Sequence, residues 1–232
     1  LKFLFIRDSK IIYGGAYLKL FKGFTLAEVL ITLGIIGVVA ALTMPALVAN
    51  YKKQEAVSKL KKSYTMVAQA LKMSELDNGE FQYWDKGRDA NAYLEKFWLP
   101  YFKSIKVCKT YQECGYESNK PWYMLSGRLN DWKVVDSGKR IPFMTSDGFL
   151  YNMSMDTDDA RIFIDINGAK PPNMTGKDLF IFVITDKGIF PREYDQPEDV
   201  INTNCKRRNS NGYSCAAKIM RDGWEMKSDY PW

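Results

Sequence analysis

The sequence predicts an α+β protein in which one very long N-terminal helix precedes a head built on an antiparallel β-sheet. Three observations carry this reading. Residues Phe24 to Asn50 form an apolar run of about the length a helix needs to cross a bilayer. Beyond it, Val57, Leu60, Tyr64, Val67 and Leu71 recur at three- and four-residue steps, one apolar stripe on a continuing helix. From Ile141 to Phe190, short β-branched and aromatic runs alternate with turn residues, the signature of an antiparallel meander.

The first run, FTLAEVLITLGIIGVVAALTMPALVAN, holds a single full charge, Glu28. An acidic side chain near the centre of a membrane helix costs roughly 2.5–3.5 kcal/mol. Even near the start of the run, a lone carboxylate needs a partner. Thr25-x-x-Glu28 is also a capping box, in which the threonine accepts from a backbone N–H and the glutamate reaches back to the cap. Two further readings stand beside it: a secretory signal peptide cut near Leu47–Ala49, and a plain transmembrane anchor.

Lys22-Gly23 immediately precedes Phe24-Thr25-Leu26-Ala27-Glu28. This arrangement resembles the prepilin signal of type IV pilins and type II secretion pseudopilins. In that family a membrane peptidase cuts after the glycine, the new terminal phenylalanine is N-methylated, and a glutamate stands fifth in the mature chain. The resemblance implies processing at Gly23 and Phe24, and assembly through Phe24 and Glu28. It also implies a pilin-like fold, divided into a cytoplasmic leader (1–23), a transmembrane or filament-core helix (24–50), an amphipathic continuation (51–79) and an extracytoplasmic head (80–232). Gly34, Gly37 and Pro45 occupy the places where the family carries helix-weakening residues. Proline costs about 3 kcal/mol inside an ordinary helix and glycine roughly 1 kcal/mol relative to alanine. The segment from Gly37 to Pro45 is therefore the part most easily unwound, or else a tolerated kink in which Thr43 and neighbouring subunits satisfy the freed carbonyls.

The leader-like stretch begins with leucine, and the natural start is expected to lie elsewhere. It holds five of the basic residues against one aspartate, so four of the six net positive charges fall within residues 1–23. The rest of the chain is nearly neutral, and bulk charge gives little reason to expect a nucleic-acid partner. Lysine counting does not orient the helix: Lys19 and Lys22 precede it, but Lys52, Lys53, Lys59, Lys61 and Lys62 lie beyond. Orientation with the head outside is what the resemblance implies. The lysines on the continuing helix read as a solvated face or as contacts to lipid headgroups.

With no histidine in 232 residues, imidazole bases and His-containing triads are excluded, and a catalytic zinc is disfavoured. Four cysteines allow three pairings. Close spacing favours Cys108 with Cys114 and Cys205 with Cys215, the alternative being a zinc site of four thiolates whose gaps do not suit either pair. An exported head in an oxidising space suits disulfides.

Asp77-Asn78-Gly79 should stop the long helix. Residues 80–107 read as a linker and a second helix capped by Asp89, with Leu99-Pro100 ending it and Tyr93, Leu94, Phe97 and Trp98 in the core. Strands are expected at Ile141–Thr145, Phe149–Met155, Arg161–Ile166, Leu179–Thr185 and Ile189–Phe190. In the third, Ile162, Ile164 and Ile166 share one face and Asp165 lies on the other. The segment FIDINGAKPPNMTGKDLFIF, Phe163 to Phe182, is similar to a loop of bacterial pseudopilin heads. In related major pseudopilins a nearby loop binds calcium, so the resemblance implies a calcium site at Asp165, Asn167 and Asp178; no other cofactor is expected. The full EF-hand pattern is absent, and the same residues read equally as a turn held by Asn and Asp side chains.

Two sequons, at Asn152 and Asn173, are discounted as chance. Lys206-Arg207-Arg208 lies inside the second cysteine loop with aromatics nearby. It suggests DNA contact, or more simply a disulfide-closed surface loop. The reading favoured is a non-enzymatic filament subunit of a type II secretion pseudopilus or a type IV pilus-like fibre. Its expected partners are other such subunits, a prepilin peptidase, an inner-membrane assembly platform and the membrane itself. A DNA-uptake pilin and a membrane-anchored envelope enzyme are the alternatives, the latter without a Gly-x-Ser-x-Gly signature.

Overall fold

The computed structural model describes residues 6–7, 10–13, 16–19, 24–85, 89–103, 105–130, 140–154, 160–206 and 210–232. The chain divides into two compact units, Leu1–Asn50 and Tyr51–Trp232.

In the first unit, strands β1 (Ile6–Arg7), β2 (Lys10–Tyr13) and β3 (Ala16–Lys19) form a small antiparallel sheet with Ile11 opposite Leu18. Helix α1 then begins. It runs from Leu26 to Asn78 as one α-helix with Pro45 inside it. Gly79, at φ +81°, ends it in the left-handed conformation that glycine adopts without a Cβ clash. The portion up to Asn50 is apolar and exposed nearly throughout. Among the described residues, α1 is the one helix long and apolar enough to cross a membrane.

The second unit starts on the amphipathic part of the same helix. Ala56, Val57, Leu60, Ser63, Val67, Ala70, Leu71 and Ser74 are buried, a stripe at three- and four-residue steps. The small residues among them lower the helix onto the sheet, and the Ser63 hydroxyl donates to the Leu60 carbonyl rather than remaining unpaired. Tyr64 packs on Phe182 and Trp224 and donates to the Ile189 carbonyl.

Asp89 caps α2 (Ala90–Phe97) by accepting from the Asn91 N–H at 2.9 Å. Leu99–Tyr101 is a single 3-10 turn. Strand β4 (Ile105–Val107) comes next, where the sequence suggested linker. Three residues are too few to display a period, and β4 exists because it pairs with β5 (Arg140–Thr145). Strands β6 (Leu150–Ser154), β7 (Arg161–Asp165), β8 (Leu179–Thr185) and β9 (Gly188–Pro191) complete a six-stranded antiparallel meander in sequence order. Two seven-residue helices, α3 (Glu198–Asn204) and α4 (Cys215–Arg221), close the unit; neither is long enough to stand out as a period.

Both faces of the sheet are covered. Ile162, Ile164, Phe180 and Phe182 join α1 in the main core. Phe163, Leu179 and Ile181 face a second core with Cys108, Tyr111, Cys114, Tyr116 and Trp122. Trp122 stacks on Phe163 and meets Tyr111 edge-on at a 5.0 Å centroid distance. Strands covered on both sides read as continuous apolar runs, which explains Leu179–Thr185. Disulfides join Cys108 to Cys114 and Cys205 to Cys215. Asn152 is fully buried in β6 and unavailable to glycosylation in the folded head.

Truncation should separate the two halves of α1. Leu60→Ala, at 0% exposure, is expected to lower the unfolding free energy of the head by about 2–5 kcal/mol. Leu30→Ala, at 60% exposure, is expected to change it by less than about 0.5 kcal/mol. Denaturant titration of the detergent-solubilised chain, followed by tryptophan fluorescence, measures both.

Candidate functional site

The start of α1 is a completed capping box. Thr25 stands just outside the helix, its carbonyl accepting from the Val29 N–H. Its hydroxyl accepts from the Glu28 N–H at 3.2 Å and donates to Glu28 Oε2 at 2.9 Å. The Thr25 N–H donates to the same Oε2 at 2.8 Å. Glu28 Oε1 takes no hydrogen bond among the described residues. The carboxylate sits where the exposed N–H groups of a helix favour negative charge. Phe24, at 87% exposure, is the next residue back, one peptide bond from the Thr25 N–H that Glu28 already holds. Gly23 lies outside the described residues.

Gly34 and Gly37 face open space: a Cβ on either would meet nothing within 4 Å. Among the described residues, neither glycine serves packing. At Pro45 the helix carries on. The i−4 carbonyl that proline cannot serve is that of Ala41, whereas the Thr43 hydroxyl donates to Val39 at 2.8 Å. Thr43 therefore does not repair the carbonyl freed by Pro45, as the sequence had suggested, because its short side chain reaches the carbonyl four residues before it.

The loop from Ile166 to Asp178 brings Asp165, Asn167 and Asp178 together. Two glycines with positive φ permit it. A Cβ on Gly168 would come within 3.0 Å of the Gly148 carbonyl, and one on Gly176 within 2.8 Å of Cys215 Sγ. Asp165 is fully buried, with Oδ2 accepting from the Tyr116 hydroxyl at 2.8 Å and from Trp122 Nε1 at 3.2 Å; Oδ1 accepts from the Asn167 N–H. Asp178 accepts from the Asn173 and Met174 N–H groups and from Asn167 Nδ2.

This set does not fit the calcium site that the resemblance implied. Calcium takes six to eight oxygens, and here both carboxylates point their oxygens at hydrogen-bond donors. No group of three or more His, Cys, Asp or Glu side chains placed to hold a metal ion occurs among the described residues. The alternative holds better: Asp178 ties the backbone of the turn, and Asp165 anchors the aromatic layer. Burial pushes Asp178 up to about 6 against the pull of its three hydrogen bonds. Burial, and then the neighbouring Asp178 charge, push Asp165 well above the carboxylate range.

In the basic tail loop, Lys206 is described, and Arg207 and Arg208 lie outside the described residues.

Comparison with known families divides the chain near the boundary between its two units. The prokaryotic N-terminal methylation motif matches residues 18–44, spanning Gly23, Phe24 and Glu28. Residues 46–232 match a family described as a family of unknown function, DUF6613. The chain belongs to that family. No curated protein and no solved structure matches it. With the methylation motif leading into a long helix and an antiparallel head, this member of DUF6613 is a pilin-like protein of the type IV pilin and pseudopilin class.

The buried acid pair sets a pH dependence. Between the ordinary carboxylate range and about pH 6, the folded head binds more protons than the unfolded chain. Its stability should therefore fall as pH rises through that window. Asp178→Asn turns an amide toward donors and lowers stability overall, but it should flatten the fall between pH 4 and 6.5 by about 2–3 kcal/mol. Denaturation midpoints across that range test the slope.

Proposed function

We propose that the chain is a structural, non-enzymatic subunit of a type II secretion pseudopilus or type IV pilus-like filament. In this reading the precursor spans the inner membrane with its head outside. A prepilin peptidase cuts between Gly23 and Phe24, and Phe24 is then N-methylated. The observation that carries the reading is the apolar half of α1, which is exposed along its length and begins with one carboxylate. Lipid covers such a surface in the precursor, and the same helices of other subunits cover it in a fibre.

Cleavage supplies the counter-charge. The α-amine released on Phe24 lies one residue from the Thr25 N–H, within reach of the open oxygen of Glu28 on its own or a neighbouring helix. In a fibre core, pairing offsets the burial of both charges, whereas one charge left alone is strongly unfavourable. A subunit then enters at one axial register. Inner-membrane assembly proteins and further copies of the chain are its partners. The exposed apolar half, headed by a single carboxylate, favours a filament role over DNA uptake or catalysis.

Glutamine at position 28 distinguishes capping from charge pairing, because it preserves the capping box and removes the charge. Mass spectrometry of chain isolated from cells is expected to find a terminal methylated Phe24 in wild type, Glu28→Ala and Glu28→Gln alike. Both variants should fail to form fibres by electron microscopy. Normal fibres from Glu28→Gln would remove the pairing role, and an intact residue 1–23 segment in the mature protein would remove the processing itself.

A further inference from the structure

The six-stranded sheet ends in β4 on one side and β9 on the other, and the two edges carry opposite charge. Around β4, three lysines and one glutamate fall between Lys103 and Glu113. Lys103, Lys106 and Lys109 are exposed. Glu113 gathers two of them: its carbonyl accepts from Lys106 Nζ, and its carboxylate accepts from the Lys109 N–H at 2.8 Å. At the β9 side, residues 186–199 hold five acids against two bases. Asp195 lies on the turns that lead out of β9, Glu198 and Asp199 open α3, and all three are exposed. Arg221 reaches this end as well, but it lies over the Tyr194 ring and donates to the Tyr194 carbonyl. None of these three lysines and three acids forms an ion pair among the described residues.

Backbone pairing is largely closed at the β9 edge. Pro191 has no N–H, and the Ile189 carbonyl accepts from the Tyr64 hydroxyl at 3.1 Å. The complementarity left between the two edges is that of their side-chain charges. Like edges repel: β4 against β4 sets lysines against lysines, and the acidic end against itself sets carboxylates against carboxylates. Unlike edges attract. They stand five strand spacings apart, roughly 24 Å along the sheet. A contact between unlike edges is therefore heterologous and leaves a free edge on each new copy. It extends into a row instead of closing as a two-fold dimer.

We propose that Lys103, Lys106 and Lys109 of one head dock on Asp195, Glu198 and Asp199 of a second copy of this chain. The inference rests on the filament reading, in which α1 assembles the copies. Exposed ion pairs are individually weak. Heads already tethered through packed helices meet at high effective concentration, where weak pairs are enough to choose how neighbouring heads sit.

Zero-length carbodiimide coupling tests the contact in fibres of the full chain. It joins a lysine amine to a carboxyl it touches as an amide, while the carbodiimide takes up the water as a urea. Peptide mapping should find Lys103, Lys106 or Lys109 joined to Asp195, Glu198 or Asp199 in fibres. The yield should be about fivefold or more lower in detergent-dispersed chain, and it should fall likewise when fibres are coupled in about 0.5 M salt. One edge is reversed by Lys103→Glu with Lys106→Glu and Lys109→Glu, the other by Asp195→Lys with Glu198→Lys and Asp199→Lys. Either reversal should cut fibre mass about fivefold or more while the head keeps its near-ultraviolet circular dichroism. The variant with both edges reversed should recover it. Wild type without fibres overturns the filament reading and the contact with it. Fibres that lack these cross-links, cross-links equally strong in dispersed chain, or lysines joined to another protein instead overturn the contact alone. So does a doubly reversed variant that folds yet assembles no better than either single reversal. Where a reversed variant loses its near-ultraviolet signal, the wild-type cross-link map decides.

Discussion

About half of the longest element in this protein has no cover of its own. From Leu26 to Asn50, helix α1 exposes leucine, isoleucine and valine side chains around its whole circumference, and none of its residues is buried. At roughly 25 cal/mol per Å², that surface cannot remain in water, and no arrangement of one apolar helix buries all of its own sides. Something outside the fold must cover it. Continuous i→i−4 hydrogen bonding, interrupted only at Pro45, is what makes a hydrocarbon environment tolerable for its backbone. The second half of the helix solves the opposite problem. It is apolar on one stripe and charged elsewhere, so a single sheet face is enough to satisfy it.

That division explains the head. A sheet packed on one helix leaves its far face exposed, yet β7 and β8 are apolar on both faces. The second core answers this with Tyr111, Tyr116, Trp122 and the Cys108–Cys114 disulfide laid over Phe163 and Ile181. Asp165 belongs to that layer. Its carboxylate costs desolvation, but it supplies acceptors for the Tyr116 hydroxyl and the Trp122 indole, which would otherwise be buried donors without partners. The polar ends of Tyr116 and Trp122 converge on one strand residue, the Tyr111 hydroxyl accepts from Asn152 Nδ2 on β6, and the layer is thereby fixed in register on the sheet.

Much of this was legible in the sequence because it is periodic or punctuated. The stripe from Val57 to Leu71, the Asn78-Gly79 stop, the Asp89 cap and the runs from Ile141 to Phe190 all announce themselves through spacing. What escaped was short or tertiary. Strand β4 has three residues and is defined by its partner; α3 and α4 have seven each and no room for a repeat. Asp165 alternates with isoleucines, and alternation alone cannot say whether its face meets water or a second core. The acidic loop resembled a cation site because carboxylates and asparagine oxygens serve both ends. Only the positions of the Asn173 and Met174 N–H groups show that both oxygens of Asp178 already accept hydrogen bonds.

Capping and charge pairing at Glu28 looked like competing explanations of one carboxylate, but the geometry of the cap leaves room for both. Thr25 occupies Oε2 through two hydrogen bonds, and that contact needs no free terminus. In the uncleaved chain it is enough: the acid satisfies the first turn of a helix whose N–H groups attract negative charge. A terminal amine on Phe24 would not have to displace the cap, because Oε1 of the same side chain takes no hydrogen bond among the described residues. The helix start is therefore preorganised without a free terminus, with the rotamer of Glu28 already set by Thr25. In the proposed filament, cleavage adds a charge to a carboxylate already in position. The ordering cost falls largely on the precursor and not on assembly.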